Sequence, residues 1–163
     1  MPNGETFQPY REAEGAESKG FEIEVVGRVA AGWDVSLSYT DFDVEDAHGN
    51  EVNTDQPHEM LKLYSTYRFR GALDRLTVAG GVSWEGSSYT DTVNGATGEP
   101  ERLVQDDYTL VSLMARYDVT ENLSAQLNVD NLLDQEYYNQ IGFYSQLEYG
   151  EPRNFTLSMN YQF

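Results

Sequence analysis

Arg153 to Phe163 read R-N-F-T-L-S-M-N-Y-Q-F, and this closing stretch decides how the rest of the chain folds. Phe155, Leu157, Met159, Tyr161 and Phe163 take every second position, with Asn154, Thr156, Ser158, Asn160 and Gln162 between them. Neighbouring side chains on a strand point to opposite faces, so one face is wholly apolar and the other wholly polar. Two kinds of strand carry that pattern. One is a soluble strand with a single buried face. The other is a tilted strand of about 9 to 11 residues that crosses a bilayer with its apolar row toward lipid. The remaining strands choose between them.

The same alternation recurs six times upstream. Phe21, Ile23 and Val25 oppose Glu22 and Glu24 within Ser18–Arg28, and Ala30-Ala31-Gly32 turns the chain. Trp33, Val35, Leu37 and Tyr39 form the second row, then Leu61, Leu63, Tyr67 and Phe69 the third. Leu76, Val78, Val82 and Trp84 make the fourth, where Gly80-Gly81 suggests a bend or a close neighbour. Val111, Leu113, Ala115 and Tyr117 mark the fifth, and Leu123, Ala125, Leu127 and Val129 the sixth. The connections sort by length. Those after strands one, three and five are short; those after two, four and six are long, and the first of these, 41–59, holds seven carboxylates and no Lys or Arg. A soluble sandwich or barrel has no reason to sort its loops by side, whereas an outer-membrane barrel has short periplasmic turns and long extracellular loops. Arg28, Arg68, Arg70, Arg75 and Arg116 fall on the polar face at the short-turn end, and acids crowd the other end. The expected fold is therefore all-β: an antiparallel up-and-down transmembrane barrel segment of about seven strands.

Strands one and seven run the same way, so joining them would create a parallel pair, while bacterial single-chain barrels close antiparallel. The chain is expected not to close alone, and its open edges would invite pairing or aggregation in isolation.

Composition narrows the function. The chain has 163 residues and a formal net charge of −18, which disfavours nucleic-acid binding because phosphate contacts need clustered Lys and Arg. Twelve Tyr, seven Phe and two Trp argue against the disorder that such charge would otherwise suggest. No window approaches the roughly 20 apolar residues of a membrane helix, and M-P-N-G-E-T-F-Q-P-Y lacks the regions of a signal peptide. There is no cysteine, so thiolate zinc sites and cysteine nucleophiles are excluded.

Three stretches carry a family resemblance: S-K-G-F-E-I-E-V from Ser18, N-V-D-N-L-L-D-Q-E-Y-Y from Asn128, and Y-G-E-P-R-N-F-T-L-S-M-N-Y-Q-F from Tyr149. Together they resemble the C-terminal barrel of TonB-dependent outer-membrane receptors, in particular the ferric-siderophore branch. The resemblance implies a barrel of about 22 strands with a plugged lumen, of which 1–163 would be the C-terminal portion. The plug domain, TonB box and signal peptide are expected to lie outside it. It also implies a bacterial outer-membrane location and partners: a ferric siderophore, outer-membrane lipid and lipopolysaccharide, the TonB complex and the barrel-assembly machinery. No cofactor and no catalysis are implied. In this family, carboxylates placed like Glu22 and Glu24 look like partners for plug arginines; the alternative is hydrated lumen residues. Met159, Tyr161 and the terminal Phe163 resemble the signal read by the barrel-assembly machinery.

Candidate ligand contacts are the aromatics toward the long-loop end, Trp84, Tyr89, Phe143, Tyr144 and Tyr149, because an aromatic face packs against a chelate or its chromophore. An interfacial aromatic girdle is the competing reading, and parity favours it for Trp84. Acidic loops would repel an anionic chelate and suit a neutral or cationic one. The other functions in play are a carbohydrate or cobalamin cargo, an outer-membrane enzyme, or a soluble carbohydrate-binding β-domain. No metal site is expected. Asp41, Asp43, Glu45 and Asp46 depart from a calcium loop, whose sixth position needs glycine where Asp46 stands, and His48 and His58 lack zinc spacing.

Overall fold

The computed structural model describes residues 15–143 and 146–163. Its main sheet holds β1 (Glu17–Ala30), β2 (Trp33–Glu45), β3 (Glu59–Arg68), β4 (Leu76–Glu85), β7 (Tyr108–Asp118), β8 (Leu123–Asp130) and β11 (Asn154–Tyr161). They lie side by side in that order, each antiparallel to the next. These are the seven alternating runs of the sequence. Two small hairpins, β5 (Ser88–Val93) with β6 (Pro100–Gln105) and β9 (Tyr138–Phe143) with β10 (Gln146–Tyr149), stand off the sheet.

Register carries the two faces across every strand. Ile23 pairs Tyr39, Tyr39 pairs Leu61, and Leu61 pairs Trp84. Farther on, Val78 pairs Ala115, Ala115 pairs Leu127, and Leu127 pairs Leu157. Partners in an antiparallel ladder share a face, so the apolar rows form one continuous surface. Its members stay open: Leu113, Leu127, Leu157 and Met159 are all exposed. The opposite face pairs Glu24 with Ser38, Lys62 with Ser83, and Asn128 with Thr156. On it Ala79 and Ser124 are buried, as the concave side of a curved sheet requires. An apolar convex face with a polar concave one reverses a soluble protein and matches a barrel wall facing lipid. Aromatics gather near both ends of the apolar face, with Trp33, Tyr67, Tyr117 and Tyr161 at one and Phe21, Tyr39, Trp84 and Phe155 at the other. The eight residue steps from Leu76 to Trp84 span about 26 Å at strand rise, which suits an apolar band about 25 Å tall.

At the short end, Ala31-Gly32 joins β1 to β2, and Gly32 adopts φ 86°, which a side chain would oppose. A 3₁₀ turn at Gly71–Leu73 joins β3 to β4. The Thr120 hydroxyl accepts from the amides of Asn122 and Leu123 between β7 and β8. The expected arginine–acid polarity takes the form of ion pairs at this end: Arg28 with Asp34 at 2.9 Å, and Arg116 and Arg68 sharing Asp118 at 3.1 and 3.9 Å.

The long end differs from the sequence reading in two ways. The acidic loop expected over 41–59 begins as strand, because β2 runs to Glu45 and pairs residue by residue with β1 back to Glu17. Charged side chains tolerate a strand whose face meets water, so the hairpin continues above the apolar band. The other two long connections are hairpins rather than plain loops.

Candidate functional site

The concave face ends, on the long-loop side, in a recess of about 510 Å³. Strand periodicity supplies its floor: Phe42, Met60, Glu85, Tyr108 and Leu110 all sit on the inward parity of β2, β3, β4 and β7, with Glu85 paired to both Met60 and Tyr108. The long connections supply its walls, through Gln56 and Pro57 on one side and Tyr137, Tyr138 and Ile141 on the other. Tyr108 donates its hydroxyl to Glu85 Oε2 at 2.6 Å, and its ring stacks on Tyr137 with centroids 4.5 Å apart. Such a stack adds a stiff aromatic panel to the recess.

Two sequence stretches hold that panel in place. Asn131, buried and at φ 47°, donates its amide to the carbonyls of Gln135 and Glu151 and accepts from the Gln135 amide. Asp134 accepts from the Arg153 amide at 3.0 Å and lies 3.4 Å from its guanidinium, whose other nitrogen reaches the Leu132 carbonyl. Gly150 donates to the Tyr137 carbonyl at 2.8 Å, and the Tyr137 ring occupies the space a Cβ at Gly150 would need. Thus N-L-L-D-Q-E-Y-Y and Y-G-E-P-R-N form one clasp across the base of the β9–β10 hairpin.

The other hairpin is tied in as well. Gln105 of β6 accepts from the Tyr138 amide at 2.6 Å, and Tyr89 of β5 donates to Glu51 at 3.0 Å. Glu51 beside that hydroxyl pushes the Tyr89 phenol above its ordinary range. Arg102 grips Asp91 through two bonds of 2.7 and 2.6 Å and lies 4.1 Å over the Tyr89 ring. The paired guanidinium holds the Asp91 carboxyl below its usual range.

Of the sequence-chosen aromatics, Tyr89 lines a second, acidic recess of about 330 Å³ with Asp43, Glu51 and Glu59. Tyr149 is exposed on β10, its ring 4.8 Å from Tyr138. Trp84 sits on the convex face opposite Leu61 and bonds Asp107 at 3.1 Å, pointing away from the recess. Phe143 belongs to β9, where only its backbone is described, and Tyr144 lies outside the described residues. Glu22 and Glu24 are exposed on the concave face, opposite Thr40 and Ser38. Met159, Tyr161 and Phe163 are exposed on the convex face and beyond it, with Tyr161 and Phe163 meeting edge to face at 5.2 Å. Sequence reasoning missed Phe42, Glu85, Tyr108 and Tyr137. Parity alone could have found Tyr108 and Glu85, which hold polar-row positions at the long-loop end. Among the described residues no group of three or more His, Asp or Glu converges to hold a metal. Asp46 instead serves its own loop, accepting from Asn50 and the His48 amide.

Comparison with known proteins agrees with this architecture. Residues 1–132 match the family model described as TonB dependent receptor-like, beta-barrel. The ferripyoverdine receptor of Pseudomonas aeruginosa is 45% identical over 148 residues, covering 91% of this chain and 18% of that protein. Its structure bound to ferripyoverdine, in the outer membrane of that organism, superposes with a TM-score of 0.85 over 90% of this chain and 19% of that one. The catecholate siderophore receptor Fiu of Escherichia coli is 32% identical over 155 residues, covering 89% of this chain and 19% of that protein. Its closed form gives a TM-score of 0.76 over 91% of this chain and 21% of that one. The chain thus spans about a fifth of the length of these relatives, and its place is the bacterial outer membrane. With its lipid-facing convex wall, its sorted connections and this family match, the chain belongs to the TonB-dependent receptor β-barrel family.

Proposed function

We propose that the chain forms seven adjacent barrel strands of an outer-membrane receptor that takes up a ferric siderophore, driven through TonB. The observation that carries this reading is the recess at the long-loop end of the concave face, floored by Phe42, Met60, Tyr108 and Leu110 and walled by Tyr137 and Tyr138. A chelate of drug-like size packs into a concave surface that combines aromatic panels with fixed polar groups, and the recess offers both, its tyrosines standing beside Gln56, Glu85 and Gln105. The ferripyoverdine and catecholate receptors among its relatives support an iron chelate over a carbohydrate or cobalamin.

The plug of such a receptor would sit against the concave face, where Glu22 and Glu24 are open to plug arginines. Tyr89, Tyr149, Phe143 and Tyr144 would meet the chelate from the outer hairpins, while Trp84 would belong to the lipid interface. No chemical step is required of the segment; it binds, and the intact receptor transports. Uptake of radioactive iron as ferripyoverdine or ferric catecholate, by cells whose receptor carries this segment, tests the reading. Iron accumulation that depends on TonB is the expected result. Uptake of labelled cobalamin or oligosaccharide with no iron chelate taken up would overturn it.

A further inference from the structure

The recess described above has a one-sided charge. Among the described residues that line it, Asp55 and Glu85 are ionisable acids, and no Lys or Arg joins them. Glu85 is half-buried at the meeting of β3, β4 and β7, and among the described residues its one side-chain hydrogen bond comes from the Tyr108 hydroxyl. A carboxylate offers about four acceptor positions, so a single phenol leaves most of its capacity turned to the recess. Arg102 of the outer hairpins is engaged with Asp91 and the Tyr89 ring. Beside Glu85 stand the stacked rings of Tyr108 and Tyr137, whose faces attract a cation.

A carboxylate partly withdrawn from water, in no ion pair among the described residues although Lys62 stands on the same face opposite Ser83, and flanked by aromatic rings is complementary to an ammonium or guanidinium group. We propose that Glu85 is a specificity residue that reads a positively charged side group on the incoming ferric chelate, with the Tyr108–Tyr137 pair as the surface along which that group lies. This rests on the reading of the recess as the chelate site. Glu85 contributes to choice among chelates rather than to the binding of iron itself: its partner is a peripheral amine or guanidine of the ligand, not the metal-bound oxygens, which are anionic and would be repelled.

The test uses the full-length receptor in detergent and one ferric siderophore that bears free amines away from its iron-binding oxygens, compared with the same chelate after acetylation of those amines. The expected outcome is that the receptor prefers the amine form by about tenfold, the scale of one charge-assisted contact. Glu85→Gln, which keeps the shape and the bond from Tyr108, should bind both forms equally. Tyr108→Phe should retain the preference, because the charge remains; this separates a reading role for Glu85 from a merely structural one. Equal binding of both forms by the unaltered receptor overturns the proposal while leaving the chelate site standing. So does a preference that survives Glu85→Gln. If neither form binds, the chelate reading and this proposal fall together.

Discussion

Asn131 is where a single side chain does most for the candidate site. It is buried, holds a left-handed backbone that asparagine tolerates better than most residues, and makes three hydrogen bonds that tie Gln135 and Glu151 together. Asn131→Ala should cost about 3 kcal/mol, combining orphaned carbonyls with the backbone penalty. The fraction of receptor still folded after heating, read from gel migration, would show it, and an unchanged melting point would refute the role. Asp46 offers a pH-dependent counterpart outside the membrane. Bonds from the Asn50 side chain and amide and the His48 amide lower its carboxyl from 3.8 to about 2. A carboxyl depressed on folding stabilises its loop fully above pH of about 4 and loses that effect as pH falls toward 2. A carbon-13 titration of Asp46 with a midpoint near that of a free aspartate would contradict it. Neither residue stands out by type in the sequence. Asn131 lies inside N-V-D-N-L-L-D-Q-E-Y-Y, but the partners that give it meaning are as far away as Glu151.

The strands were legible because alternation is a local signal repeated seven times, and Leu61 to Phe69 declares its face without help from the rest of the chain. The hairpins were not. S-Y-T-D-T-V and P-E-R-L-V-Q carry polar residues on both faces, since β5 and β6 stand in water away from the sheet, so no period announces them. Their turn did leave a trace. Asn94 accepts from the amides of Ala96 and Thr97, which is the turn chemistry that N-G-A-T-G allows. The β9–β10 hairpin depends on its base for position. Gly150→Ala would thrust a methyl group into the Tyr137 ring and push that ring off Tyr108. Chelate affinity should fall about tenfold, while the melting point changes little, since the seven-stranded wall is untouched. Retained affinity would show that the stacked pair does not shape the recess.

Among the described residues the sheet ends in two edge strands, β1 and β11, each paired on one side only. Glu22 and Glu24 lie on one of those edge strands, facing the concave side. In the intact receptor, Glu22→Ala combined with Glu24→Ala should loosen the plug and raise leakage of large antibiotics; unaltered permeability would leave them as hydrated wall residues. At the other edge, Phe163 follows a row of exposed apolar residues and packs on Tyr161. Removing it should deplete most of the receptor from the cell surface, measured by surface labelling, and normal levels would rule out a part in assembly. Polarity of the two faces could be read from the sequence, as could the sorting of long and short connections. The recess could not, because it exists only where four strands and two hairpins converge.

The clasp formed by Asn131, Asp134, Tyr137, Gly150 and Arg153 has an evolutionary consequence. It closes the chain at the foot of the β9–β10 excursion, so everything between Tyr138 and Tyr149 hangs from a joint that does not depend on its own contents. Insertions, deletions and substitutions in that excursion can accumulate without disturbing the lipid-facing wall. A lineage could thereby exchange one cargo for another by rewriting about a dozen outer residues while inheriting the barrel unchanged.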